Sequence, residues 1–259
     1  MRSWRRSPKL CLRRTYDVLA SDDKADMSTA IAPSPSVPAD VPALLSLNAG
    51  YVDTAGFLAL HGLFTAHVTG NFVTIGAALA FGTSGVVTKL LALPTFCVAV
   101  ASARLLRYWL IERRIPVLRT MLALMVVLLA VGGAIAIRFG PFESGDAGPA
   151  LAAGLMLVAG MAIQNAVQRV HLPSAPPTTI MTGTTTQIML DVADLIHGAS
   201  PTQAATVRAH IISLAKAVLA FAVGCGCGAL LYTQVGTWCF VIPPVIALLV
   251  LVRHEAVKP

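Results

Sequence analysis

The residues most able to do chemistry lie inside apolar sequence. Asp53 falls near the middle of the apolar segment 43–62, and an acid at the centre of a bilayer costs about 2.5 to 3.5 kcal/mol on insertion scales, so something must compensate it. It serves either as a proton or cation coupling site, or as an acceptor for Thr69, Asn71 or a neighbouring helix end in a packing role. Two short strings, Thr69-Gly70-Asn71 and Thr182-Gly183-Thr184, form a second feature. A threonine oxygen can cap the first free N–H groups of a helix, and the adjacent glycine admits a ligand or another backbone. Two such helix N-termini meeting at the midplane would each present roughly half a positive charge, an arrangement suited to an anion or carboxylate. The plainer role is ordinary capping with close helix packing. Gln164 and Asn165 occupy the fifth apolar segment much as Asp53 occupies the first, and would hydrogen-bond a solute or bridge helices.

Other polar residues point less sharply. His61 and His67 flank the first string, where histidine offers a proton-linked role, but as isolated helix-end histidines they read first as interfacial hydrogen-bonding residues. Asp191, Asp194 and His197 recur every three residues and share one side of a helix. With no fourth ligand apparent, they read as a water-facing edge rather than a metal site. Lys216 either pairs with Asp53 or Asp194 or snorkels to the surface. Five cysteines, Cys11, Cys97, Cys225, Cys227 and Cys239, lack metal or redox spacing and read as small core residues. No HExxH, GxSxG, phosphate-binding glycine loop or paired membrane aspartates occur. The reading is therefore a protein that is not an enzyme and has neither cofactor nor bound metal.

The elements that must hold these residues are membrane helices. The 259 residues are 56% hydrophobic and only 12% charged, against roughly a quarter charged in soluble domains. The net charge of +7 comes from cations at the edges of apolar runs, which fits membrane topology rather than nucleic-acid binding. Residues 1–42 form a basic and then Pro/Ser/Ala-rich tail expected to stay disordered, with Met27 an alternative start; residues 254–259 form a second tail. Between them, eight apolar segments are expected near 43–62, 69–82, 88–110, 119–138, 148–168, 182–197, 205–231 and 236–252. Those at 69–82 and 182–197 fall short of the roughly 30 Å hydrocarbon core and read as re-entrant half-helices. Six crossings plus two half-helices leave Arg104, Arg107, Arg113, Arg114, Arg119, Arg169, Arg208, Arg253 and Lys258 inside and only Lys89 and Arg138 outside, as the positive-inside bias requires. This predicts an all-α membrane protein with both termini cytoplasmic. The arginine cluster can also bind anionic lipid headgroups. Gly224-Cys225-Gly226-Cys227-Gly228 lets helices approach closely, and Pro243-Pro244 is expected to kink the last helix.

Residues 66–79, AHVTGNFVTIGAAL, align with 179–192, TIMTGTTTQIMLDV, and each follows a helix containing Ala-Gly. The halves 43–138 and 148–252 thus read as repeats, inverted because each holds three crossings. LNAGYVDTAGFLALHGLFTAHVTGNFVTIGAAL at 47–79, with GMAIQNAVQR and TTIMTGTTTQIMLDVADL at 160–169 and 178–195, resembles the YoaK-like bacterial multi-pass membrane proteins over about residues 43–253. That resemblance implies a six-span inner-membrane protein of a family without an assigned activity. The residues themselves favour a secondary transporter holding a small anionic or carboxylate-bearing solute between the two Thr-Gly helix ends. The alternative is a non-transporting protein with a lipid-binding or assembly role. Membrane lipids are the other expected partners.

Overall fold

A computed structural model describes residues 40–198 and 200–256, so the expectations for residues 1–39 and for the extreme C-terminus lie outside the described residues. The described residues are predominantly helical and contain no strand. The elements run α1 (Val41–Ala59), a 3-10 turn (Val68–Gly70), α2 (Asn71–Phe81), α3 (Val86–Glu112), α4 (Val117–Phe139), α5 (Gly148–His171), α6 (Met181–His197), α7 (Pro201–Val235), a second 3-10 turn (Gly236–Val241) and α8 (Ile242–Ala256). Prolines mark the starts, where a missing N–H loses nothing: α1, α5 and α7 carry one in the first two positions. The pair Pro243-Pro244 behaves the same way. It lies in the first turn of α8 because residues 236–241 coil as a 3-10 turn, so the expected kink is replaced by a helix start. The short helices α2 and α6 stop at Gly82 and Gly198, both left-handed, the usual glycine termination.

Four stretches are long and apolar enough to cross a membrane: Val86–Glu112, Val117–Phe139, Gly148–His171 and Gln203–His254, the last running through α7, the second 3-10 turn and α8. Their outward faces expose large apolar side chains such as Val98, Leu105, Leu219 and Trp238, a surface suited to lipid rather than water. The core lies around α1 and α5, each with twelve buried residues. α1 packs chiefly on α7 and α8, and α5 on α4 and α3.

The α1–α7 crossing is made by glycine. A Cβ on Gly224 would land on the carbonyl oxygen of Leu47, and one on Gly50 on that of Phe221. Only backbones this close, with no side chain between them, gain the dispersion contact that drives helix association in lipid. Tyr51 then ties α1 to the second 3-10 turn, donating its hydroxyl proton to the Cys239 carbonyl at 2.8 Å.

At one end of the bundle the α4–α5 loop caps α3 from outside. Asp146 accepts hydrogen bonds from the N–H groups of Gly85 and Thr88, both 2.9 Å, and the Thr88 hydroxyl donates to the Gly145 carbonyl at 2.6 Å. His61 joins the same network through the Phe142 carbonyl at 2.9 Å and Ser84 at 3.2 Å. Burial pushes the Asp146 carboxyl upward in pKa, but the N–H donors of Thr88 and Gly85 outweigh it and hold the group below the ordinary 3.8.

Gly224→Leu should destabilise the protein by upwards of about 3 kcal/mol, whereas Gly226→Leu, whose Cβ meets nothing within 4 Å, should leave unfolding in detergent unchanged. The folded state holds Asp146 below its unfolded pKa, so its contribution is complete above 3.8 and disappears as pH falls through the lower folded value. Apparent unfolding temperature should drop below about pH 4, and Asp146→Asn should be less stable at neutral pH and flatten that drop.

Candidate functional site

After α1 the backbone leaves helical geometry for residues 60–67 and would bury orphan N–H groups if nothing met them. Asp53, 4% exposed, meets them. One carboxylate oxygen accepts from the N–H groups of Thr65 and Ala66, each at 2.7 Å, and from that of His67 at 3.4 Å, while the Thr65 hydroxyl approaches to 3.4 Å. The other oxygen pairs with His67 Nδ1 at 2.7 Å. The His67 ring stands edge-on to Phe221 of α7, centroids 5.3 Å apart. Asn71 closes the same loop from its far side: its Oδ1 accepts from the Phe64 N–H at 2.9 Å and its Nδ2 donates to the Phe64 carbonyl at 2.8 Å.

After α5, amide side chains engage the loop that follows. Gln164 Nε2 donates to the Leu45 carbonyl of α1 at 2.9 Å and to the Thr178 hydroxyl at 3.2 Å. The Thr179 hydroxyl donates to Asn165 Oδ1 at 2.8 Å. Gln164 and Asn165 therefore bridge α5 to its following loop, and Gln164 also to α1.

The capping expected of Thr69 and Thr182 is not formed. Neither α2 nor α6 has a side-chain cap hydrogen bond, and both threonines are exposed. Thr69 lies inside the 3-10 turn, leaving Gly70 in the cap position, and Thr182 is already one residue into α6, leaving Ile180 there. Thr184 is buried and spends its hydroxyl proton on the Ile180 carbonyl at 2.8 Å. The two short helices do not pack on each other: α2 lies on α3 and the first turn, α6 on α7.

The two helix beginnings consequently differ. Gly70 is covered by the Phe64 ring, whereas the start of α6 opens on a cavity of about 560 Å³. Gly183, Thr184 and Gln187 of α6 form one wall, Gln168 and Arg169 of α5 another, and His210 and Ser213 of α7 the third; Thr69, Gly70 and Asn71 take no part. Behind this cavity a second acid–imidazole pair joins two helices: Asp191, 7% exposed, meets His210 Nδ1 at 2.7 Å and accepts from Gln187 Nε2 at 2.7 Å. Asp191 is thus turned inward, and the water-facing edge expected of Asp191, Asp194 and His197 keeps only the last two. Lys216 is exposed and pairs with neither Asp53 nor Asp194. In both acid–imidazole pairs the carboxylate engages Nδ1.

His210, Ser213, Gln168 and Arg169 were not selected from the sequence. The i, i+4 spacing of Gln187 and Asp191 was the available signal; nothing local couples Asp191 to a histidine 19 positions away.

A family model described as "Protein of unknown function (DUF1275)" matches residues 41–253. The chain belongs to this family. The matched span covers every helix of the DUF1275 fold from the start of α1 into α8, both acid–imidazole pairs and the α6 cavity. No curated protein and no solved structure matches the chain.

In this DUF1275 protein Asp53→Asn should lower stability by about 1.5 to 3 kcal/mol, the range for hydrogen bonds to a charged group. Asp53→Ala should do worse and expose residues 60–67 to limited proteolysis at concentrations of protease that spare the wild type.

Proposed function

We propose that this protein is a secondary transporter that binds a small anionic, carboxylate-bearing solute at the start of α6. The observation that carries the reading is the 560 Å³ cavity, where the uncapped N-terminus of α6, Arg169 and the Asp191-held His210 converge. Free N–H groups and the helix dipole favour negative charge, and an arginine fork matches a carboxylate. Asp53 with His67 is proposed as the coupling pair, since a carboxylate held within a membrane helix and hydrogen-bonded to imidazole can pass a proton through the outer ring nitrogen.

The same proposal takes α1, α3, α4, α5, α7 and α8 as six crossings, with α2 and α6 re-entrant, both termini cytoplasmic, in a bacterial inner membrane. Supporting it, the 35 residues of α7 exceed the roughly 20 that a crossing needs, and the α8 stretch adds a further crossing after the second 3-10 turn. Inverted repeats are supported by the packing scheme. Exchanging α1 with α5, α2 with α6, α3 with α7 and α4 with α8 converts α1–α7 into α5–α3, α1–α8 into α5–α4, and α2–α3 into α6–α7, all of them packed pairs. The clamp of Asp53 on residues 65–67 corresponds to that of Gln164 and Asn165 on 178 and 179.

Purified protein in detergent should gain apparent thermal stability with acetate, succinate or another small carboxylate, since a ligand at about 100 times its Kd adds about 2.7 kcal/mol. Gly183→Leu, whose Cβ meets only Ile180 at 3.5 Å, and His210→Ala should fold and lose the shift, and Gly183→Leu should abolish uptake of that carboxylate into proteoliposomes. Shifts that persist in both variants, or no response to any carboxylate, would overturn the reading.

A further inference from the structure

A second cavity, about 440 Å³, lies between α3, α4 and α5, and its walls are largely apolar, with Phe96, Val100, Ala103, Met121 and Val167 among them. At one end its character changes: Arg104 and Arg107 of α3 and Arg169 and His171 of α5 gather there. From Phe96 to Arg107 the cavity follows α3 for about 16 Å. No acidic residue lines it. Among the described residues, no carboxylate lies within ion-pair distance of Arg104, Arg107 or Arg169, and Arg107 Nε is shut away from solvent without a hydrogen-bond partner. A sequestered guanidinium donor without an acceptor is costly, and an arginine cluster is the arrangement that grips phosphate bidentately. Arg104 Nε donates to the Tyr108 hydroxyl at 3.0 Å, so the unmet donor is that of Arg107: a free phosphate would satisfy it and leave the apolar length empty, while an uncharged chain would fill that length and leave it unmet.

We propose that this cavity is a binding site for one anionic phospholipid, its phosphate held by Arg104, Arg107, Arg169 and His171 and one acyl chain lying along α3 toward Phe96. The lipid reading does not require transport, although the two cavities share a wall. Because Arg169 and Ile180 also border the α6 cavity, the variants that test it are ones that line only this one.

Native mass spectrometry and thermal unfolding of the full-length protein in a neutral detergent would compare dioleoyl phosphatidylglycerol, dioleoyl phosphatidylcholine and glycerol phosphate. Phosphatidylglycerol should remain bound and stabilise the protein, with the other two giving little effect. Arg107→Gln should weaken phosphatidylglycerol binding about tenfold and Val100→Trp, which fills the apolar length, should abolish its retention, while Arg113→Gln, outside the cavity, should bind as wild type. Equal stabilisation by phosphatidylcholine would show that head charge is not read, and equal stabilisation by glycerol phosphate would show a free-anion site. Either result, or unchanged binding in both Arg107→Gln and Val100→Trp, would overturn the proposal.

Discussion

Irregular backbone among helices built for lipid must find its hydrogen bonds inside the protein, because hydrocarbon offers none. The chain breaks helical geometry twice beside its two most buried helices, after α1 and after α5. Each break is met by polar side chains on the preceding helix: Asp53 for residues 65–67, and Gln164 with Asn165 for 178 and 179. Asp53 is therefore explained first as the partner of backbone that leaves the helix, while Gln164 and Asn165 hold the loop after α5 through the hydroxyls of Thr178 and Thr179.

The two clamps differ in charge, and the difference separates the halves. A carboxylate accepts several N–H donors at once, so Asp53 gathers its loop tightly; Asn71 then closes the other side, and Phe64 covers Gly70. The amides of Gln164 and Asn165 engage threonine hydroxyls rather than a run of N–H groups. The loop before α6 also carries Pro173, Pro176 and Pro177, which have no N–H to gather. That loop stays open, and the space it leaves becomes the α6 cavity. A like sequence string thus gives a sealed helix start in one half and an accessible one in the other.

Small residues set the distances on which these contacts rest. Gly50 and Gly224 bring α1 and α7 backbone to backbone, so His67, held by Asp53, reaches Phe221 of α7. Larger side chains fill the rest of the centre, with Tyr51, Leu129, Leu157 and Phe240 fully buried, while other leucines, valines and aromatics such as Leu105, Val98 and Trp238 cover the outer faces.

The sequence by itself determined the apolar helical class and the element order, because apolar length and charge placement are local properties: the eight apolar segments overlap the eight α-helices among the described residues, with ends differing by up to six residues, and the family motifs lay within the matched span 41–253. It also marked Asp53, Gln164 and Asn165, since polar residues in apolar helices stand out without any knowledge of their partners. Their partners belonged to the tertiary structure. The capping expected of Thr69 and Thr182 failed because the helix starts are displaced, by one residue at Thr69 and two at Thr182, which moves each threonine out of the cap position. His210 reaches Asp191 only once α6 folds back on α7, and Arg107 and Arg169 share a cavity only because α3 packs on α5. Such encounters are set by helix crossings between distant segments, and spacing along the chain carries no record of them.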